Sequence, residues 1–181
     1  VVVDGDGDSA SLNLDGSLTI NVENDVPIAA PSFEGGIGAM VREDGMSFAT
    51  GDRSEGNKPV GGTNADDEAY GTSDAQNLSQ LFISGADEDL TYGLSTDTTK
   101  LSTLYSKGEQ VQYSVNAAGN TLTASTTAGT VFTLTVNADG SWGFDLQDQL
   151  DHVDDGNNDE NWELVSGADG TDSVSGIDFS S

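Results

Sequence analysis

The fold is decided by residues 130–146, which read TVFTLTVNADGSWGFDL. Neighbouring side chains of a β-strand point to opposite faces of a sheet, so every second residue shares a face. In the first strand one face is apolar and comprises Phe132, Leu134 and Val136. The opposite face is mostly threonine and comprises Val131, Thr133 and Thr135. After an Asn-Ala-Asp-Gly turn the apolar alternation resumes in Trp142, Phe144 and Leu146, which predicts an antiparallel hairpin with one buried face.

Other segments of the chain show the same pattern of short strands. Strands are predicted at residues 10–22, 110–115 and 121–125, with turns that contain Gly, Asn or Asp beside them. No segment carries an apolar stripe at helical spacing over more than about two turns. Residues 42–80 are rich in Gly, Asp, Asn and Ser and are predicted to form long loops. Short strands separated by such turns are typical of an antiparallel β-sandwich, so the predicted fold class is all-β.

The composition excludes several classes of site and partner. Asp and Glu number 32 against 5 Lys and Arg, which gives a formal net charge of −27, with one His and no Cys. Disulfides are therefore excluded, as are zinc sites built on thiolates or several imidazoles. Five scattered cations do not form the basic patch that nucleic acid or an anionic membrane surface attracts. No apolar run approaches the roughly 18 residues of a membrane span, so we expect neither a nucleic-acid partner nor membrane insertion.

The acidic composition also makes folding difficult. Apolar residues make up 34% of the chain, which approaches the composition of disordered segments. A bound divalent cation is the simplest aid, because it neutralises carboxylates and adds its binding energy to the folded state. A partly disordered acidic linker is the alternative, although the regular strand pattern favours a folded domain.

One candidate calcium site lies at the start of the chain, where Asp4, Asp6 and Asp8 alternate with glycines. Calcium takes six to eight oxygen ligands, and a glycine-rich turn lets alternate carboxylates converge on one ion. The pattern is not an EF-hand, because Ser9 stands where that loop needs its sharp-turn glycine. The alternative reading is that these Asp-Gly pairs are solvated turns.

Two further acidic segments are candidate calcium sites. Glu23, Asn24 and Asp25 precede Pro27, which cannot donate to a β-ladder and therefore marks a boundary between two units. Oxygen ligands there could bind calcium between the units, or the segment could be a simple polar linker. The third candidate is the acidic stretch 151–160, which could be a calcium loop with Asp151, Asp154, Asp155 and Asp159 as ligands. It could also be a solvated acidic tip.

The sequence offers little support for catalysis. His152 is the only histidine, and no nucleophile is marked as its partner. With 32 acids, any pair chosen for glycoside hydrolysis is uninformative. The glycine-rich stretches lack the Gly-Lys-Ser/Thr ending of a phosphate-binding loop. We therefore expect that the chain is not an enzyme.

The order of several motifs resembles the repeats of large RTX adhesins that type I secretion systems export. These motifs are residues 3–10, 23–27, 85–94, 139–144 and 150–152. The resemblance implies an Ig-like or cadherin-like β-sandwich, repeated in tandem with neighbouring repeats of the same polypeptide on a Gram-negative cell surface. It also implies that calcium near the linkers rigidifies an extracellular stalk that supports adhesion and biofilm formation. Export would occur unfolded, and folding would follow in extracellular calcium.

The first and last residues suggest a tandem array divided within a repeat. Residues 1–25 are predicted to be the last strands of one unit, and residues 26–181 the body of the next unit without its own last strands. We expect any export signal to lie elsewhere in a longer polypeptide. One alternative function is a module that binds a glycan or peptide through residues 42–80 and Trp162. The other is a calcium-dependent glycanase, which would require a defined pair of buried carboxylates.

Overall fold

A computed structural model describes residues 2–3, 6–10, 26–30, 37–56, 67–73, 76–85, 89–153, 163–168, 170 and 172–179. These residues form antiparallel strands and two short 3-10 helices, Glu43–Gly45 and Leu78–Leu81. The strands of this part of the chain are β1 (Val2–Val3), β2 (Ser9–Ala10), β3 (Ile28–Ala29), β4 (Glu68–Tyr70), β5 (Phe82–Ile83), β6 (Tyr105–Ser106), β7 (Glu109–Gln110), β8 (Gln112–Val115), β9 (Thr121–Thr126), β10 (Gly129–Val136), β11 (Trp142–Leu146), β12 (Leu164–Val165) and β13 (Ser173–Val174). The predicted all-β class is confirmed. Within the described ranges, no helix has the length and apolar character needed to cross a bilayer.

The main sheet has five strands in the order β4-β11-β10-β9-β8. Strands β8 to β11 form an antiparallel meander, in which Val136 pairs with Trp142 and Phe132 pairs with Leu146. The predicted hairpin is therefore confirmed. The four other pairs, β1-β2, β3-β5, β6-β7 and β12-β13, are two-stranded.

One face of the main sheet is buried in the core. As predicted, Phe132, Leu134, Val136, Trp142, Phe144 and Leu146 are all buried. The ring of Phe179 lies 6.4 Å from those of Phe132 and Phe144, so the segment at 177–179 covers part of this face. The opposite face carries half-buried threonines, which agrees with strand alternation.

Val131 departs from the predicted alternation. Strand alternation predicts this side chain on the outward face with the threonines, but it is fully buried beside Phe132. The pairing of β10 with β9 shifts register between Thr130 and Phe132, which is a β-bulge that turns one extra side chain inward. The carbonyl of Val131 accepts the N–H groups of both Gln147 and Asp148, at 2.7 and 3.0 Å. The bulge therefore positions the residues just beyond β11.

Two other predicted segments differ in detail. The segment 110–115 is not one strand, because β7 ends at Gln110 and β8 begins at Gln112. Val111 lies between them and donates its N–H to the Leu104 carbonyl. The predicted long loops at 42–80 contain β4, which pairs with the edge of β11. In the segment predicted as a strand at 10–22, residues 11–22 lie outside the described residues, as do the proposed unit boundary at 25 and Trp162.

Candidate metal centre

Three aspartate side chains meet where β4 lies against β11. They are Asp52, Asp67 and Asp145, and one carboxylate oxygen of each lies within 4.8 Å of the others. Asp52 belongs to the loop that follows the first 3-10 helix, Asp67 immediately precedes β4, and Asp145 lies within β11. Three separate segments thus contribute to one site, which we name the aspartate cluster.

Pairing in the sheet positions two of these residues. Phe144 and Leu146 are buried in the core, so the side chain of Asp145 points to the opposite face. Gln147 Nε2 donates a hydrogen bond of 2.8 Å to Asp145 Oδ2 and restrains the carboxylate. The N–H of Leu146 donates to the carbonyl of Asp67 over 3.0 Å, which fixes Asp67 beside β11.

Hydrogen bonds of the loop position the third residue. Asp52 Oδ2 accepts hydrogen bonds from Ser47 N–H at 2.6 Å and from Thr50 Oγ1 at 3.0 Å. The N–H of Arg53 donates to the carbonyl of Gln147 over 2.6 Å, which joins the loop to the end of β11. Asp52 is therefore held at the sheet by its own turn and by its neighbour.

Asp67 is deeply buried, with 1% of its surface exposed, and its Oδ1 has no hydrogen-bond partner among the described residues. Burial raises the pKa of Asp67, a backbone hydrogen bond offsets part of this rise, and the charges of Asp52 and Asp145 raise it further. The pKa of the adjacent Glu68 is raised by burial and by the three aspartates. Ion pairs in the described part of the chain involve other acids, so the negative charge of the cluster stays uncompensated there.

This arrangement suits a hard divalent cation. Calcium binds oxygen ligands at about 2.3 to 2.6 Å, so two oxygens on one ion lie at most about 5 Å apart. The cluster oxygens, within 4.8 Å of one another, can all reach a single ion. Carboxylate ligands favour calcium or magnesium over zinc. A cation would also give Asp67 Oδ1 a partner, and a buried polar atom without one costs about 1 to 3 kcal/mol.

A second buried carboxylate, Asp148, lies just beyond β11 and is fully partnered. Lys107 Nζ lies 2.6 Å from Asp148 Oδ1, and Ser54 Oγ donates a short hydrogen bond to the same oxygen. Arg53 Nε lies 3.6 Å from Oδ2. Burial acts to raise the pKa of Asp148, but the hydrogen bonds from Lys107 and Ser54 and the charge of Lys107 lower it overall. The protein itself satisfies the charge of Asp148, whereas it does not satisfy that of Asp67.

The calcium ligands predicted from the sequence are not the members of this cluster. Asp6 and Asp8 are exposed in the loop between β1 and β2. The two carboxylate oxygens of Asp151 accept the N–H groups of Lys107 and Gly108, each over 2.7 Å. The other candidates lie outside the described residues: Asp4, Glu23, Asn24, Asp25, Asp154, Asp155 and Asp159. Calcium binding by these ten residues stays a prediction.

Sequence reasoning missed all three members of the aspartate cluster. Asp52 and Asp67 lie in the segment predicted as loops, and nothing in that prediction brings them to a strand. Two signals mark the site in retrospect. Asp145 interrupts the outward face of a hairpin, and the run Asp66-Asp67-Glu68 directly precedes the strand residues Ala69 and Tyr70.

Comparisons with known proteins identify no relative of this chain. No protein family, no curated protein and no solved structure matches the chain. The function is therefore inferred from the residues and their geometry.

The substitution Asp67→Asn is expected to stabilise the chain in excess chelator at neutral pH. Because folding raises the pKa of Asp67, its ionised form favours the unfolded chain at pH values above that pKa. Asparagine removes the charge, and its amide can donate to the carboxylates of Asp52 and Asp145. We expect an increase of about 1 kcal/mol in the free energy of unfolding, measured by urea denaturation. A lower free energy of unfolding for the variant than for the wild type in chelator would contradict repulsion among the three aspartates.

The substitution Asp151→Ala is expected to lower the free energy of unfolding by about 1 to 2 kcal/mol. Asp151 holds the turn between β6 and β7, where Lys107 and Gly108 adopt φ angles of 54° and 79°. A left-handed lysine is unfavourable, so the turn depends on the two hydrogen bonds from its N–H groups. Urea denaturation measures the change. Asp97→Ala is the control and should have a smaller effect, because the Asp97 carboxylate accepts hydrogen bonds from Thr99 within its own exposed turn.

Proposed function

We propose that this chain is a calcium-stabilised extender domain of an RTX adhesin, part of a stalk on the surface of a Gram-negative bacterium. The observation that carries the proposal is the aspartate cluster, in which a buried carboxylate with one unpartnered oxygen lies beside two others. An all-β chain with a net charge of −27 benefits from a cation that neutralises such a site. The resemblance of its motifs to RTX adhesin repeats supports the cellular setting.

The proposal includes an Ig-like β-sandwich with the main sheet as one layer. Support comes from residues outside that sheet that pack in the same core. They include Leu104 and Val111 around β6 and β7, Leu164 in β12, and Ile177 near the end of the chain. In the proposed sandwich, these segments form the layer that covers the apolar face.

The proposed role is mechanical. A cation bound by Asp52, Asp67 and Asp145 would cross-link segments that lie far apart in the sequence, so pulling on the chain must break metal contacts before the sheet separates. Extracellular calcium modules bind with Kd values of about 10⁻⁴ to 10⁻³ M. At such affinities the chain would stay metal-free during export and would fold in the calcium outside the cell.

A glycan- or peptide-binding role for residues 42–80 is less well supported by the structure. The cleft in this region has a volume of about 180 Å³ and is lined by Glu43, Asp44, Met46, Ser54, Glu55, Gly56 and Gln149. None of these lining side chains is aromatic, and the exposed rings of this segment, Phe48 and Tyr70, do not line the cleft. Because the cleft offers no aromatic face for stacking, the extender is the function that we propose.

Mechanical unfolding of single molecules tests this function. The chain is pulled from its two ends in optical tweezers, first in excess chelator and then in about 10 mM calcium, well above the Kd expected of an extracellular module. We expect a higher unfolding force in calcium, because the bound ion must be released before the cross-linked segments separate. Equal forces in the two solutions would overturn the extender proposal.

A matched variant shows whether the aspartate cluster produces the effect. Asp52→Asn keeps an oxygen that can accept the hydrogen bonds from Ser47 and Thr50 but removes one carboxylate charge from the cluster. We expect calcium to raise its unfolding force less than that of the wild type. Asp97→Asn, in an exposed turn away from the cluster, should respond to calcium as the wild type does.

A further inference from the structure

The strand beside the aspartate cluster is weakly held. β4 has three residues and lies at the edge of the main sheet, where it pairs only with β11. Ala69 is its one buried side chain, and burial of a methyl group contributes only about 1 kcal/mol. Glu68 lies directly opposite Asp145, and like charges at paired positions destabilise a sheet. Without a cation, β4 is therefore held mainly by its three residue pairs with β11 and by the burial of Ala69.

The cluster spans the seam between these two strands. Asp67 lies on the β4 side, Asp145 lies on the β11 side, and Asp52 approaches from the loop. Asp67 Oδ1 provides an independent sign of a ligand, because it is buried and has no partner among the described residues. A cation bound to all three carboxylates would replace repulsion across the seam with attraction.

We propose that this cation is a clasp: calcium binding locks β4 onto β11, and calcium loss releases β4 and leaves β11 as the open edge of the sheet. The clasp rests on the calcium binding of the proposed function and adds a local conformational consequence. The remainder of the sheet stays folded, since β10 pairs with β11 over five residue pairs and with β9 over six. Local opening of a weakly packed edge below the free energy of global unfolding is a known property of proteins.

Release of β4 would leave β11 as an open edge that another strand could join. An open strand edge presents unpaired N–H and C=O groups and is a template for strand addition. In the clasped chain, β4 occupies that edge with hydrogen bonds that extend from Gly71 N–H to the Trp142 carbonyl at one end and from Leu146 N–H to the Asp67 carbonyl at the other. Calcium would thus protect the sheet edge as well as stabilise the fold.

Amide hydrogen exchange of the full chain, resolved by NMR, tests the clasp. Gly71 and Leu146 report on the seam, and Val136, whose N–H donates to the Asn120 carbonyl, reports on the pairing of β10 with the start of β9, away from the seam. In excess chelator we expect the two seam amides to exchange at least about tenfold faster than Val136, because they open locally. Calcium at about 100 times its Kd is expected to slow their exchange about 100-fold.

Variants and calorimetry separate the clasp from calcium binding itself. In Asp52→Asn the same calcium concentration should slow the seam amides much less, whereas Asp97→Asn should behave as the wild type. Seam amides as protected as Val136 in chelator would overturn the clasp. Calcium binding in calorimetry without any change at the seam would overturn the clasp alone. No calcium binding in calorimetry would overturn both the clasp and the proposed function.

Discussion

The substitution Asp148→Ala is expected to lower the free energy of unfolding by about 2 kcal/mol. Asp148 is 1% exposed and lies just beyond β11. Its carboxylate links this segment to Ser54 in the loop and to Lys107 in the β6-β7 turn. Removal of the carboxylate leaves the buried Ser54 hydroxyl without its acceptor. The side chains of Lys107 and Arg53 are 45% and 37% exposed, so solvent compensates most of their lost ion pairs. Hydrogen bonds to a charged group contribute about 1.5 to 3 kcal/mol each, which makes this a large effect for one substitution.

Urea denaturation at a series of pH values measures the free energy of unfolding of the wild type and of Asp148→Ala. Folding lowers the pKa of Asp148, so its contribution is present above the ordinary value of 3.8 and is lost as the pH falls through the lowered folded value. The difference between wild type and Asp148→Ala should therefore be largest near neutral pH and shrink in acid. Ser54→Ala, which removes one hydrogen bond to the carboxylate but keeps its contact with Lys107, is the control and should cost less than Asp148→Ala, about 1.5 kcal/mol. An Asp148→Ala chain as stable as the wild type at neutral pH would contradict the assignment of Asp148 as a structural link.

Calcium is expected to raise the free energy of unfolding by about 2.7 kcal/mol when its concentration is about 100 times the Kd of the aspartate cluster. For a chain of this length that corresponds to an increase in melting temperature of roughly 5 to 10 °C. The increase arises because the ion binds the folded chain, where three carboxylates converge, more tightly than the unfolded chain. Thermal melts by circular dichroism, in chelator and in a calcium series, measure it.

The variant Asp67→Asn distinguishes the cluster from other calcium sites in the chain. It should be more stable than the wild type in chelator and should gain less from calcium, so the order of the two melting temperatures reverses as calcium rises. Magnesium at the same concentration should stabilise the wild type less, because it demands shorter bonds and nearly octahedral geometry. Equal calcium responses in the two chains would exclude Asp67 from the site.

The hairpin at 130–146 could be predicted because its pattern is local. Alternating apolar side chains and an Asn-Ala-Asp-Gly turn are sufficient to specify two paired strands, and the structure confirms the buried faces of β10 and β11. The bulge that buries Val131 could not be predicted in the same way. It depends on the register between β10 and β9, which the sequence of one strand does not reveal.

The aspartate cluster and β4 could not be predicted because tertiary contacts create them. β4 is too short to show a strand pattern, and pairing with β11 defines it. The loop that carries Asp52 is joined to the end of β11 by the hydrogen bond from Arg53 to Gln147, which lie far apart in the sequence. Asp151, predicted as a calcium ligand from its acidic neighbours, also holds a turn through the N–H groups of Lys107 and Gly108, and the sequence gives no sign of this long-range role.

The proposed extender depends on one calcium ion bound by Asp52, Asp67 and Asp145 in the folded chain. Isothermal titration of calcium into the wild type and into Asp67→Asn tests it most directly, because other acidic segments that bind calcium contribute equally to both titrations. We predict that the wild type binds one more calcium ion than the variant, with a Kd of about 10⁻⁴ to 10⁻³ M for that ion. The same number of ions bound with the same affinity in both chains would contradict calcium binding at this site.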